Sequence, residues 1–258
     1  MSAPHRTVLV HPSAPVLAEA TAARLLTRLV DLQSDRSPVH IVLTGGTVGI
    51  ATLAAVASSP VREAVDWTGV HLWWGDERFL TDGDPDRNET QARDALISAL
   101  GDALPAGNVH AVPALDPAGV GTPEDAATAY AATLASYAPE GAEVPAFDVL
   151  MLGMGPDGHV ASLFPGHAGL DVTGTATTGV HGSPKPPPLR VSLTFEAIRA
   201  AREVWVVAAG AEKAAAVASA LSDAPVQVTP AAGALGTEAT LWLVDAAAVA
   251  EVGAPATP

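Results

Sequence analysis

The feature that most limits the folds open to this chain is a set of short apolar runs that do not alternate. VHIVLT (39–44), FDVLMLG (147–153), EVWVVAAG (203–210) and ATLWLVD (239–245) carry apolar side chains at successive positions. A strand with one wet face alternates polar and apolar residues, whereas a strand covered on both faces has no need to. RTVLVH (6–11) and GVHLWWG (69–75) add two more strands, and NVHAV (108–112) is a candidate short one. Alanine-rich stretches of helical period separate them, at 14–32, 48–58, about 88–100, 123–137 and 211–221. Buried strands alternating with helices predict an α/β fold. The expected architecture is a single doubly wound domain over residues 1–258, with a mostly parallel, Rossmann-like sheet covered by helices on both faces. Residues 166–188, rich in Gly, Thr and Pro, read as a long loop over the sheet, and the tail after 253 as frayed.

Charge and composition narrow the partners. The formal net charge is −15, a field that repels nucleic acid and anionic membranes. There is no cysteine, so no disulfide and no thiolate catalyst or ligand. No apolar stretch is long enough to span a bilayer, and MSAPHRTVLVHPSAP lacks the pattern of a signal peptide. These features suggest a cytoplasmic protein acting on a small molecule, a monomer or weak homo-oligomer with no nucleic-acid or membrane partner. Basic residues are sparse: none occurs between Arg93 and Lys185, and the only lysines are Lys185 and Lys213.

In open parallel sheets, ligands sit beyond the carboxyl ends of the strands. The segments that follow the strands are TGGT (44–47), GDER (75–78), GMGPDGH (153–159) and GAEK (210–213). Each joins a glycine turn to polar groups. TGGT lacks the lysine of a Walker loop but opens a helix, so the amides of Gly45 and Gly46 and the hydroxyls of Thr44 and Thr47 form a candidate anion site. A plain threonine-capped turn fits the same residues. Asp76, Glu77 and Arg78 cluster at a strand end, which fits either a site or a surface ion cluster. Asn88 stands near the start of the next helix, where it could equally be a cap.

Gly153, Gly155 and Gly158 have dinucleotide spacing, but the helix expected from Val160 is stopped at once by Pro165 and Gly166. No acidic strand end follows at the required distance, so the dinucleotide reading fails its context test. What remains is a tight turn presenting Asp157 and His159, either a carboxylate-oriented general base or a histidine capping a short helix. Arg190 emerges from a proline run. Lys213 lies in the first turn of a helix, where a cation opposes the dipole unless an anion offsets it. There is no Gly-x-Ser-x-Gly elbow and no His-Glu-x-x-His, and neither a metal nor a cofactor is expected.

Taken in order, TGGT, GDER with Asn88, GMGPDGHVASLFPG (153–166), PPLR (187–190) and GAEK resemble the 6-phosphogluconolactonase family over nearly the whole chain. The long block is specific; the others are individually weak. One departure is Gly49, near a place where that family often carries proline. The resemblance implies hydrolysis of 6-phospho-D-glucono-1,5-lactone, the second step of the oxidative pentose phosphate pathway. It implies His159 as the base, Asp157 or Asp76 as its orienter, and Arg78 as the stabiliser of negative charge. Phosphate would be held by Thr44, Gly45, Gly46, Thr47, Arg190 and Lys213, with Asn88 and Gly155 as further substrate contacts. The related glucosamine-6-phosphate deaminases resemble the first and third motifs, but their block carries Glu where Phe164 stands, and Tyr where Arg78 stands. A deaminase or isomerase, or a non-catalytic sugar-phosphate-binding module, remains the alternative.

Overall fold

A computed structural model describes residues 6–253; the expected fraying after 253 lies outside the described residues. The apolar runs form six strands: β1 (Arg6–His11), β2 (Val39–Leu43), β3 (Val70–Trp74), β5 (Val149–Gly153), β8 (Glu203–Ala208) and β9 (Ala239–Asp245). They make one sheet in the order β1-β9-β8-β5-β2-β3, with every pair parallel. All five residues of β2 and the last five of β8 are buried, as strands covered on both faces require. β1, at the sheet edge, leaves Val8 and Val10 exposed.

The long helices follow the apolar period. In α1 (Ala14–Gln33), Leu17, Leu25, Leu26, Leu29 and Leu32 are buried. It packs against α2 (Gly46–Ser58). After β3, α3 (Asn88–Ala92) continues through a π turn, Arg93–Ile97, into α4 (Ser98–Leu100). Then α5 (Pro123–Ser136) opens on a capping box between Thr122 and Asp125. Short α6 (Phe195–Arg199) and α7 (Ala214–Leu221) complete the set. The 108–112 run forms no strand; its one bridge is Val109 to Leu72. Among the described residues, no helix is long and apolar enough to cross a membrane.

A second sheet was not expected. β4 (Asp76–Arg78), β6 (Thr177–Val180) and β7 (Arg190–Leu193) form an antiparallel sheet in the order β4-β7-β6. Thus 166–188 is no plain loop: it contains a 3₁₀ turn, Ala168–Asp171, and β6. One residue joins the two sheets. Gly75 donates to the Leu43 carbonyl of β2 (3.1 Å) and accepts from Leu193 of β7 (2.9 Å). Tyr130 fixes the approach, its hydroxyl accepting from the Trp74 amide (2.9 Å) and donating to the Trp74 carbonyl (3.1 Å). A single hydrophobic cluster runs through both sheets.

Chain direction places the site. From β2 the chain moves outward to β3, and from its neighbour β5 it moves the other way to β8. The loops after β2 and β5 therefore diverge, and a crevice opens between them at the switch point.

Candidate active site

The crevice is a cleft of about 280 Å³ lined from all four glycine turns. Across the switch point, the Thr44 hydroxyl accepts from the Gly153 amide (2.8 Å), tying the end of β2 to that of β5. Thr44 thus serves the frame of the site with the oxygen expected to face an anion. The first turn of α2 stays open. Gly45 caps it without any side-chain hydrogen bond, and no acid lies in the turn. Uncapped amides and the positive end of a 13-residue helix point at the cleft. Gly46 has φ +79, a left-handed conformation that favours glycine. Gly49 is buried against the same turn; a Cβ there would stand 2.6 Å from the Thr44 carbonyl oxygen. Close packing accounts for that glycine.

β4 sorts its three side chains by strand alternation. Asp76 and Arg78 share one face and line the cleft, paired across β7 with Ser192 and Arg190. Glu77 turns the other way and is buried. Its carboxylate accepts from the amides of Arg78 (2.8 Å), Asn88 (2.7 Å) and Glu89 (2.8 Å), with Arg87 at 3.8 Å. Burial pushes the Glu77 carboxyl up to about 7 against the pull of Arg87 and those amides. Glu77 thereby caps α3 and delivers Asn88, whose Nδ2 donates to the Asp76 carbonyl (2.9 Å) while its Oδ1 lies against Gly45. Asp76 accepts from the fully buried Ser162 hydroxyl (2.6 Å) and lies 4.0 Å from Arg190. Arg78 donates to the Asp86 carbonyl (2.5 Å).

The block after β5 is not the short helix expected from Val160. It is a series of bridged turns, Met154 to Val160 and Val160 to Leu163, so no helix exists for His159 to cap. The Gly155 amide donates to the His159 carbonyl (3.0 Å), closing a loop that needs Gly158 at φ +81. Inside it, His159 Nδ1 meets Asp157 Oδ1 at 2.5 Å. This pair is why position 155 carries glycine: a Cβ there would stand 2.1 Å from His159 Cε1 and 2.5 Å from Asp157 Oδ1. Partial burial works to raise the Asp157 carboxyl. The hydrogen bond and charge of His159, with Lys185 beyond, outweigh it and hold the group below the usual carboxylate range. On the other side of the imidazole, the buried Phe164 ring packs at 4.6 Å between centroids. Of the two orienters expected, Asp157 is the one in contact with His159.

The cations come from two further elements. Arg190 is buried, and its Nε and Nη2 donate to the carbonyls of Pro187 (3.2 Å), Lys185 (3.0 Å) and Pro186 (3.1 Å). Burial and the nearby Arg78 pull its pKa down, against Asp76 and Glu77. Lys213 ends a 3₁₀ turn, Ala211–Lys213, ahead of α7. Burial lowers its pKa, with Lys185 acting in the same sense and Glu212 and Asp245 opposing.

Of the residues expected in the site, all but Asp157 line the cleft, and Asp157 touches it through His159. Residues not anticipated are Lys185, Glu77 and Ser162. The rarity of lysine pointed to Lys185, and strand alternation in DER separates Glu77 from its neighbours. Ser162 lies within the 153–166 block, but nothing in the sequence links it to Asp76. Among the described residues, no group of three or more His, Asp or Glu is placed to hold a metal ion.

The chain is similar to known proteins over nearly its whole length. A family model described as glucosamine-6-phosphate isomerases/6-phosphogluconolactonase matches residues 12–242. The chain is 55% identical over 247 residues to a 6-phosphogluconolactonase of Streptomyces coelicolor, covering 95% of this chain and 94% of that one. It is 40% identical over 246 residues to a 6-phosphogluconolactonase of Mycobacterium tuberculosis, covering 95% and 98%. The solved 6-phosphogluconolactonase of Trypanosoma brucei superposes with a TM-score of 0.84 at 28% identity, covering 97% of this chain and all of that one.

Proposed function

The chain belongs to the glucosamine-6-phosphate isomerase/6-phosphogluconolactonase family, and we propose that it hydrolyses 6-phospho-D-glucono-1,5-lactone to 6-phospho-D-gluconate, the second step of the oxidative pentose phosphate pathway. The 55% identity to a 6-phosphogluconolactonase along nearly the full length of both chains carries this reading. The Phe164 ring supports it over the isomerase branch, since a phenyl group at that place relays no proton.

In this proposal the phosphate rests on the open amides of the α2 turn, with Arg190 and Lys213 as counter-charges. Asp157 holds Nδ1 of His159, which leaves Nε2 to take a proton from water. That water oxygen bonds to C1 of the lactone. Arg78 stabilises the developing oxyanion, and Asp76 and Asn88 hold the sugar hydroxyls. Collapse breaks the bond between C1 and the ring oxygen, which receives the proton from His159. The new acid then ionises. A six-membered lactone is an activated ester, so a placed base and a charge stabiliser suffice. The setting we infer is cytoplasmic, with the enzyme a monomer or weak homo-oligomer.

The test is an assay on freshly generated lactone, corrected for spontaneous hydrolysis. Wild type should accelerate ring opening, and His159→Ala should lose about 10²- to 10⁴-fold in kcat with little change in KM. Ammonia release from glucosamine 6-phosphate would favour the isomerase branch, and binding without turnover a sensor. Arg190→Ala and Lys213→Ala should act chiefly on KM; an unchanged KM in both would remove them from the phosphate subsite.

A further inference from the structure

Phe164 relays no proton, yet its ring meets both the imidazole of His159 and the buried guanidinium of Arg190. Its centroid lies 4.6 Å from that of His159, with 42° between the planes. Arg190 Cζ stands over the same ring, 5.9 Å from the centroid. His167 approaches it edge-on at 6.4 Å, and only 1% of Phe164 is exposed. The mount of the ring is fixed on both sides. The Ser162 amide donates to Ser192 Oγ of β7 (3.2 Å), and the Gly166 amide donates to the Gln227 carbonyl (2.9 Å). The Phe164 carbonyl itself accepts from the His167 amide (3.1 Å). Arg190 is in turn held by the carbonyls of Lys185, Pro186 and Pro187. The phenyl ring thus belongs to the frame that joins the His159 block to the second sheet.

His159 needs such a wall. The polar hold on its side chain is one hydrogen bond, between Nδ1 and Asp157, and Asp157 is exposed. One contact fixes one atom of the imidazole and leaves its plane free to turn, because χ2 of histidine is a soft torsion. Proton transfer needs the plane held within about 10–20°, so that Nε2 points at the water. A flat, immobile face against the imidazole supplies that second constraint from the buried side.

Resting on the proposed reaction, we infer that Phe164 is a positioning residue for it: acting through His159, its ring sets the plane of the imidazole and so the direction in which Nε2 takes the proton. Leucine or methionine at this place would stay apolar but offer no flat face.

Steady-state lactone hydrolysis by Phe164→Leu and by the more adaptable Phe164→Met tests this role in the full-length protein. Calorimetric titration with 6-phosphogluconate counts the competent sites, so a misfolded fraction is not read as slow turnover. Per competent site, kcat should fall about 10- to 100-fold in both variants, with KM and product affinity within about threefold of wild type. A double-mutant cycle supplies the second readout. Asp157→Asn already releases the imidazole, so adding Phe164→Leu to it should cost less than about threefold more. A kcat within about threefold of wild type in both single variants would make the ring plain core packing and overturn the inference. So would losses confined to KM, or losses that multiply in the double variant. A wild type that does not open the lactone would instead overturn the proposed function.

Discussion

Replacing Gly45 by alanine tests how far activity depends on the packing of the α2 turn against Asn88. Gly45 has φ −80 and ψ −160, a backbone any residue adopts, so a methyl group brings no conformational strain. It brings a collision. The Cβ would stand 2.0 Å from Asn88 Oδ1 and 2.5 Å from its Cγ, where ordinary contact begins near 3.4 Å. Asn88 must withdraw by about 1.4 Å, and its 2.9 Å hydrogen bond to the Asp76 carbonyl is lost. An acceptor left unpaired there costs about 1–3 kcal/mol of stability. A displacement of about 1 Å in a positioned group costs roughly 10²-fold in kcat/KM. We expect Gly45→Ala to show both losses, in urea unfolding and in initial-rate lactone hydrolysis. The cause is isolated by a double-mutant cycle. With Asn88→Ala the methyl has room, so the double variant should match Asn88→Ala alone to within about threefold. Gly46→Ala gives the contrast. At φ +79 its cost of about 1–2 kcal/mol is backbone strain, and removing Asn88 should not relieve it. Multiplicative losses for Gly45→Ala and Asn88→Ala, or near-wild-type activity for Gly45→Ala, would refute the contact argument.

Three further outcomes are expected. Asp157→Asn should lower kcat by roughly 10²- to 10³-fold with KM within threefold, because the imidazole loses its orienting acceptor; steady-state rates showing a KM effect alone would assign Asp157 to binding. Ser162→Ala removes the 2.6 Å donor to Asp76 and should cost about tenfold in kcat/KM with little change in melting temperature, whereas unchanged kinetics would show that the sheet alone holds the carboxylate. Acid stability depends on two buried histidines, His40 on β2 and His110 in the segment beside β3, which burial first, and then neighbouring rings, depress to about 4. Their folded pKa lies below the free value, so their contribution is complete above about pH 6.5. It falls by about 1.4 kcal/mol per unit and per histidine as pH drops toward 4. Glu77, raised to about 7, works the other way between about pH 7 and 4.5. Unfolding free energies from denaturant titrations between pH 6.5 and 4.5 should therefore fall less steeply in His110→Gln by about 1.4 kcal/mol per unit; a parallel decline would refute the assignment.

The main sheet was legible because burial on both faces writes itself into consecutive apolar residues, as in VHIVL and VWVVA. The crevice followed from chain direction and glycine turns, and with it nearly every site residue. The second sheet was hidden for a physical reason. Its strands have only three or four residues, TTGV mixes glycine with threonine, and DER is too short to show a period. Strands β4 and β7 lie more than a hundred residues apart in the chain, so no local pattern connects them. Yet this sheet sets Arg78 opposite Arg190 and turns Glu77 away from both. The His159 block misled in a similar way: VASLF has helical composition, but bridges through Val160 and a left-handed Ala161 at φ +48 hold it as turns. Tertiary pairing overrides propensity there.

Several departures from local rules meet at the cleft. Two helix starts away from it are capped: Thr122 and Asp125 close α5, and Thr194 accepts from the Ala197 amide at α6. At α2, facing the cleft, the amides are left open. Arg78 and Arg190 stand directly opposite across antiparallel strands, a like-charge pairing that destabilises a sheet. Lys213 sits half-buried at the start of α7, where the helix dipole disfavours a cation. Ala161 adopts a conformation that costs an L-residue about 1–2 kcal/mol. Four of the chain's 13 lysines and arginines line this one cleft in a protein of net charge −15. The electrostatic violations share one remedy, a ligand with concentrated negative charge that accepts from free amides. A phosphorylated substrate supplies it. Where local rules fail together at one place, and the failures have the same sign, the ligand that removes them is written into the fold before any motif is matched.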